Sequence, residues 1–512
     1  MVNETDLSRH TLPGEPASLW ITTTPQTEYP ALSGDISVEV AVVGGGIVGL
    51  TAATLLKDAG ATVALIEANR VAGGVSGHTT AKITAAHGLI YNRLLKKQGE
   101  ERALQYAEAN QAAIEFISDY IQEHDVSCDF DRTFACTYAL TPEETEPIQA
   151  EVSAASDLGF PVFYADELPV PFRISGAVCF ENQAFLHPRK YLLHLADRIP
   201  GGGCHLFEQT RVRDVREGSP CEVITEKRTV RADRVIMATH FPILDRGLFF
   251  AKMAPRRSYL MAAKVNGPIP DGMFYHTGSP MRTFRRHATD SGGELLIIGG
   301  QHHETGHEVN TMGIYRDIEA FARRHFNLEA ILYRWSTQDN FPADGVPFIG
   351  THSMRSRRTY VATGFGGWGM TNGTAAAIIL ADILRDRPNP WAPVFDANRF
   401  TPFLSRKFIS RNIHVARLFM QDYVTGKTDR TLSDLACGEG GIIEKDGKEV
   451  AAFKDGKGAV HLVSTACAHM GCKVAWNNAE QSWDCPCHGS RYDADGNVIH
   501  APATTGLEPK GS

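Results

Sequence analysis

Val38 to Val43 is the first strongly patterned segment, an apolar and largely β-branched run that reads as a buried strand. A helical pattern follows through Lys57, and a second short strand, Thr62 to Ile66, ends at Glu67. Strand, helix and strand in that order predict a βαβ unit. Residues 1–35 ahead of it form a polar arm with scattered proline and glycine. Residues 100–123 carry Leu104, Ala107, Ala112, Ile114, Phe116 and Ile117 at helical spacing. A further strand is expected from Leu295, and a helix over Thr374–Leu384 that runs into Pro388 and Pro390. Beyond residue 433 the pattern changes. Alternation over Gly458–Ser464 and the Asp455-Gly456 and Asp495-Gly496 turns predict a small antiparallel β unit. Between the two regions, Phe403 to Tyr423 is amphipathic, with Arg406, Lys407, Arg411 and Arg417 among apolar residues, and reads as an inter-domain helix rather than a membrane-surface one.

At 512 residues the chain exceeds one compact core, so two or three domains are expected. Its 43% apolar and 21% charged content is that of an ordinary globular protein. A net charge of −8 with both signs interspersed gives no reason to expect a nucleic-acid partner. Neither a signal-peptide run nor twin arginines precede the first strand, and no stretch reaches the ~18 apolar residues of a membrane span, so the cytoplasm is the expected location.

Chemistry enters first at Gly44-Gly45-Gly46-Ile47-Val48-Gly49, between the first strand and its helix. Gly44 makes the turn, Gly46 admits a pyrophosphate to the backbone, and Gly49 packs helix on strand. The helix N-terminus offers free N–H groups to phosphate, and Glu67 can accept ribose hydroxyls. The fingerprint leaves FAD and NAD both open. Gly364, Gly366 and Gly369 repeat the spacing, but no acid ends a strand about twenty residues on, which speaks against a second dinucleotide site. His303-Glu304-Thr305-Gly306-His307 matches the H-E-x-x-H zinc-protease pattern. It follows a strand and contains a glycine, so a polar loop near the nucleotide site is expected instead of a metal-binding helix.

At the other end stand Cys467-Ala-His469-Met-Gly-Cys472 and Cys485-Pro-Cys487-His488-Gly-Ser490. Thiolates and imidazoles converging from two tight loops form a metal site, with zinc the competitor to iron–sulfur. A zinc ribbon would repeat C-x-x-C, which these boxes do not. The other six cysteines, Cys128, Cys136, Cys179, Cys204, Cys221 and Cys437, lack motif spacing and read as buried thiols.

Both ends resemble known families. The C-terminal boxes resemble the Rieske family, which implies a [2Fe–2S] cluster with Cys467 and Cys485 on one iron and His469 and His488 on the other. The resemblance also implies a Cys472–Cys487 disulfide clipping the loops, against the alternative of two reduced thiols, and hydrogen bonds to sulfur from Ser490 and Tyr492. Residues 36–395 resemble the D-amino-acid oxidase/glycine oxidase superfamily of FAD enzymes. The likeness rests on Gly73-Gly74-Val75-Ser76-Gly77, Val235–Thr239, Asp344–Gly350 and Thr363–Met370. It implies an α/β FAD-binding Rossmann-like domain, about 36–95, 179–245 and 341–395. Inserted into it is an α+β substrate domain, about 96–178 and 246–340. A helical linker at 396–432 and a small all-β Rieske domain at 433–512 would complete the chain.

On that resemblance the FAD contacts are Gly44, Gly46, Ile47, Val48, Gly49, Glu67, Ala68, Gly74, Ser76, Thr79, Thr80, Val212, Thr239, Gly364, Gly367, Trp368, Gly369, Met370 and Thr371. Lys82, Arg256, Tyr259 and Lys264 are the catalytic candidates, and Arg257, Tyr275 and Arg285 come from the same insert. An arginine there could pair with a substrate carboxylate. His78 could carry a covalent flavin, although non-covalent binding is expected. Nearly the full chain, including Arg334-Trp335-Ser336-Thr337-Gln338-Asp339 ahead of Asp344, resembles a bacterial subfamily of flavin–Rieske fusions. The implied activity is oxidation of a small amine or amino-acid-like substrate, with electrons passing from FAD through the cluster to an external protein or quinone, met at His469 and His488. A flavin oxidase using oxygen, with the Rieske domain as sensor or structural module, and a reductase fed through the cluster are the alternatives.

Overall fold

A computed structural model of the chain describes residues 12–511, apart from 291, 309, 401–402, 404–408, 411 and 414–427. The βαβ unit opens it. β1 (Ile36–Val43), α1 (Ile47–Asp58) and β2 (Val63–Ile66) follow in order, and the strands pair in parallel with Val40 opposite Val63. The four central residues of this crossing are apolar on both faces because helices and loops cover both sides. Gly44 adopts φ +112°, and a Cβ on Gly49 would lie 1.9 Å from the Gly44 carbonyl oxygen. Gly49→Ala should therefore push α1 off β1, costing about 1–3 kcal/mol. A lowered melting temperature together with FAD lost on gel filtration would bear this out, and unchanged retention would contradict it.

β3 (Thr229–Met237) lies parallel to β1 on its other side, Ile36 opposite Val230. The chain then leaves for a second, mixed sheet. There β4 (Met253–Val265) runs antiparallel to its neighbour β5 (Glu294–Glu304), and α2 (Thr311–His325) packs behind them. On the other flank of β4 lies β6 (Leu328–Pro342), with Arg256 opposite Asp339. The strand Gly176–Phe185 belongs to this larger sheet too, so the inserted layer continues to Phe185. β7 (Thr359–Thr363) returns to the first sheet beside β3, and α3 (Gly369–Leu384) follows. Among the described residues the first sheet has eight strands and the second nine.

The C-terminal unit is all β, as expected. A three-stranded sheet over Gly440–Val463 precedes a four-stranded one of β8 (Ala475–Asn477), β9 (Ser482–Asp484), β10 (Arg491–Tyr492) and β11 (Val498–His500). Trp483, Tyr492 and the cysteines of both boxes form its core.

Some expectations shift. In Glu100–Glu123 the buried face is Ala103, Tyr106, Ala107, Asn110, Ile114 and Ile117, while Leu104 is exposed. The arm is bound, not loose: Trp20 is wholly buried, donates from Nε1 to the Thr79 carbonyl, and Ser18 donates to Gly77. Cys136 and Cys179, read as separate thiols, face each other across adjacent strands and form a disulfide. Cys437, read as buried, is exposed. The amphipathic segment Phe403–Tyr423 lies largely outside the described residues. No helix among the described residues is long and apolar enough to cross a membrane.

Candidate functional site

Between the two sheets lies a cavity of about 780 Å³, within the range of cofactor pockets. Its floor is the glycine turn before α1, and all the sequence-predicted FAD contacts line it except Gly49, Gly364 and Thr371. Gly49 acts through packing. Gly364 sits behind the wall, where a Cβ would meet Pro342 and Met253. Thr371 turns away to the Thr84 carbonyl and His87. The residues fit a dinucleotide. Glu67 accepts from Gly45 and Asn69 at 2.7 and 2.8 Å, which fixes its carboxylate at the end of β2, and burial raises its pKa. The positive end of α3 begins at the cavity after Gly366 and Gly367, both at positive φ. Such a helix end favours negative charge in front of it.

The opposite wall is the second sheet. Ser258 of β4, His302 of β5, Thr337 and Asp339 of β6, Tyr275 and Trp368 face the space; Thr337 and Asp339 fall in the Arg334–Asp339 stretch of the subfamily resemblance, which gave them no role, and Ser258 and His302 did not stand out in the sequence. Ser258 and His302 share a hydrogen bond of 2.8 Å, and burial holds His302 down at about 4. The catalytic candidates separate. Lys82 lines the cavity, donating to the Phe274 carbonyl at 2.8 Å and to Thr283, and burial lowers its pKa well below the lysine range. Arg256 lies over the Phe341 ring, outside the cavity lining. Tyr259 is part of the cavity lining, but its ring packs on Tyr315 and His303 and its phenol is hydrogen-bonded to His303. Lys264 is exposed and pairs with Glu329, away from the site. Arg285 is occupied by the carbonyls of Thr80 and Leu186 and cannot take a substrate carboxylate.

The C-terminal boxes converge. Hydrogen bonds from Cys485, Tyr492 and Ser490 meet at Cys467 and hold its thiol down at about 6, with Tyr492 Oη 3.1 Å from the sulfur. The rings of His469 and His488 stand edge to face, 5.1 Å apart. Nδ1 of His469 is buried without a hydrogen-bond partner among the described residues, which suits a ring nitrogen reserved for iron. Cys472 and Cys487 form the clip, and their sulfurs lie within 4.8 Å of that of Cys485. Two cysteines and two histidines from facing loops fit a [2Fe–2S] centre of the mixed-ligand kind.

Comparison with known proteins agrees at both ends. The model of the FAD dependent oxidoreductase family matches residues 39–383, and that of the Rieske [2Fe-2S] domain matches residues 429–509. The chain belongs to the FAD-dependent oxidoreductase family. Its fusion to a Rieske domain extends over a relative's full length. The Bacillus subtilis (strain 168) protein YhfW, whose name marks it as a Rieske 2Fe-2S iron-sulfur protein, is 36% identical over 98% of this chain and 99% of its own. Glycine oxidase from Geobacillus kaustophilus shares the fold of the larger part, with TM-score 0.58 and 18% identity over 71% of this chain and 99% of that one. The Rieske part is similar to cytochrome b6-f iron-sulfur subunit 1 of Nostoc (strain PCC 7120), 39% identical over 17% of this chain and 45% of the subunit. This is therefore an FAD-dependent oxidoreductase that also carries a Rieske domain.

In this oxidoreductase the Rieske domain is docked on the flavin-binding part. Residues Val498–Ala501, Ala503 and Thr504 wall the FAD cavity beside the predicted contacts. His500 shares a hydrogen bond of 2.9 Å with His240. Glu480, in the turn between β8 and β9, reaches Arg257 and Ser336 and accepts from Tyr315 at 3.0 Å. Arg491 is held by Asp484 at 2.8 Å and also lines the cavity. Gln338 donates to the Gly489 carbonyl at 2.9 Å, joining the cavity wall to the second cluster loop. His488 is only 3% exposed, its ring packed on Phe250. The His303–His307 stretch is a strand end and turn, as expected, but it meets the cluster loop at Pro486 rather than the flavin cavity. This also changes the expected contact for a partner: His469 keeps exposed surface, whereas His488 faces the chain itself.

Proposed function

We propose that the protein oxidises an amine or amino-acid-like substrate at FAD and passes the electrons through its own Rieske cluster to an external acceptor, a protein or a quinone, in the cytoplasm. FAD supplies a two-electron acceptor and the cluster a one-electron carrier. The observation that carries this reading is the shared wall. Segment 498–504 closes the FAD cavity, and Ser490, which bonds toward Cys467, accepts from Ala503 at 3.1 Å. Cluster loop and cavity are thus one hydrogen bond apart through a packed interior. The roles of the chain's own residues follow from position. The glycine turn and Glu67 would seat the dinucleotide, the β4–β6 wall would orient the substrate, and the docked domain would keep water from the cavity.

An anaerobic titration with aliphatic amines and amino acids, following flavin absorbance and the cluster's electron paramagnetic resonance together, tests the proposal. Flavin bleaching followed by the reduced-cluster signal is the expected result. Bleaching with a chemically reducible cluster left oxidised would rule out the relay and favour the sensor or structural role.

A further inference from the structure

We infer that Asp339 is the receptor for the positively charged nitrogen of the substrate, so that the pocket takes protonated aliphatic amines. The inference rests on the reading that amines are oxidised here, and it names the group that selects them.

Asp339 sits near the end of β6, beside Thr337 in the wall facing the glycine turn. It is enclosed by protein yet keeps accessible surface, and that surface belongs to the cavity. The Gly367 N–H faces the carboxylate and favours its charged form. It makes no ion pair with any side chain among the described residues, although Arg256 stands opposite it in the strand register. Arg256 instead lies over Phe341, and Arg257 is turned through the sheet to Glu480. A carboxylate enclosed without an ion-pair partner is costly, and burial lifts its pKa to about 6 against the smaller opposing pulls of the Gly367 N–H and the Arg257 charge. A cationic ligand removes that cost. The surroundings suit an alkylammonium, since the Tyr275 and Trp368 rings meet edge to face at 5.2 Å in the same wall and offer aromatic surface to a cation. Lys82, the lysine of the cavity lining, is already bound to Phe274 and Thr283.

The experiment uses the full-length protein with both cofactors bound and reads perturbation of the oxidised flavin spectrum under anaerobic conditions. The probes are n-butylamine, n-butanol and butyrate. Wild type should bind butylammonium more tightly than the neutral or anionic probe. Asp339→Asn keeps the shape and can still accept from Gly367. It should lose about ten- to a hundredfold in butylammonium affinity, the weight of a charge-assisted hydrogen bond, with butyrate binding unchanged. Asp339→Glu should recover part of the loss. If the asparagine variant lost FAD, the wild-type ranking would still decide, because butyrate or butanol binding as tightly as butylammonium overturns the inference. An amine affinity unchanged in Asp339→Asn, with the probe-free flavin spectrum shifted, would also overturn it and assign the carboxylate to the cofactor. Should no amine perturb wild type at all, the amine reading itself fails. An unchanged affinity in the variant sinks only the role of Asp339.

Discussion

Replacing Glu480 by glutamine is expected to slow reduction of the Rieske cluster on the order of a hundredfold while leaving reduction of the flavin by substrate intact. Arg257 is 2% exposed at its side chain and pairs with Glu480, which also holds Ser336 and Tyr315. Removing one member of a buried ion pair costs about 3–5 kcal/mol, because the other charge stays behind without compensation. The side chain of Glu480 keeps 20% exposure, so the lower end of that range applies. Most of that energy falls on docking, since Arg257, Ser336 and Tyr315 belong to the other unit, while within its own unit the carboxylate also lies 4.0 Å from Arg491. Rapid freeze-quench resonance after mixing with substrate separates the two steps. Equal cluster reduction rates in variant and wild type would show that the clamp does not hold the domains in register. A double variant that also replaces Arg257 by methionine should recover part of the loss, because it leaves no buried charge unmatched.

The second large effect is expected at Cys485. Cys485→Ser should abolish the cluster's visible absorption and its resonance signal, lower the melting temperature of the C-terminal unit, and leave FAD bound at one per chain. Cys485 is 1% exposed, against the Cys472–Cys487 clip on one side and Cys467 on the other. The serine hydroxyl is a poor substitute for a thiolate toward iron, and metal binding of this kind contributes directly to folding. Iron retained at two per chain would remove Cys485 from the ligand set. The melting transition also tells whether the docked domain steadies its neighbour, for the flavin part should then unfold earlier as well.

Much of this site was legible in the sequence, for a physical reason. The glycine turn, Glu67 and the two cysteine–histidine boxes are local, and each chemistry needs its residues at fixed spacing along one short segment. Positions set by pairing across strands were not legible. Asp339 ends the Arg334–Asp339 stretch of the subfamily resemblance, but that likeness gave it no role, and its meaning comes from β4 beside it and the Gly367 loop in front. Cys136 and Cys179 became partners only through the register of two strands 43 residues apart in sequence. Docking was hidden further still. Glu480 lies in an ordinary hairpin turn and Arg257 in a run of two arginines, and their pairing depends on how two finished domains meet. Lys264 and Tyr259 illustrate the reverse. Both belong to the expected insert, yet the Tyr259 ring packs on Tyr315 with its phenol hydrogen-bonded to His303, and Lys264 ends on the surface.

The burial of His488 makes the chain a competitor for its own redox partners. An acceptor that had to touch this histidine would find the place filled by Phe250 and could react only in the intervals when the domain lifts away. Turnover with it would level off at the rate of opening, however much acceptor was supplied. An acceptor content with the other edge, where His469 and the half-exposed Met470 remain open to solvent, would meet no such ceiling, and its rate would keep rising with concentration until encounter itself became limiting.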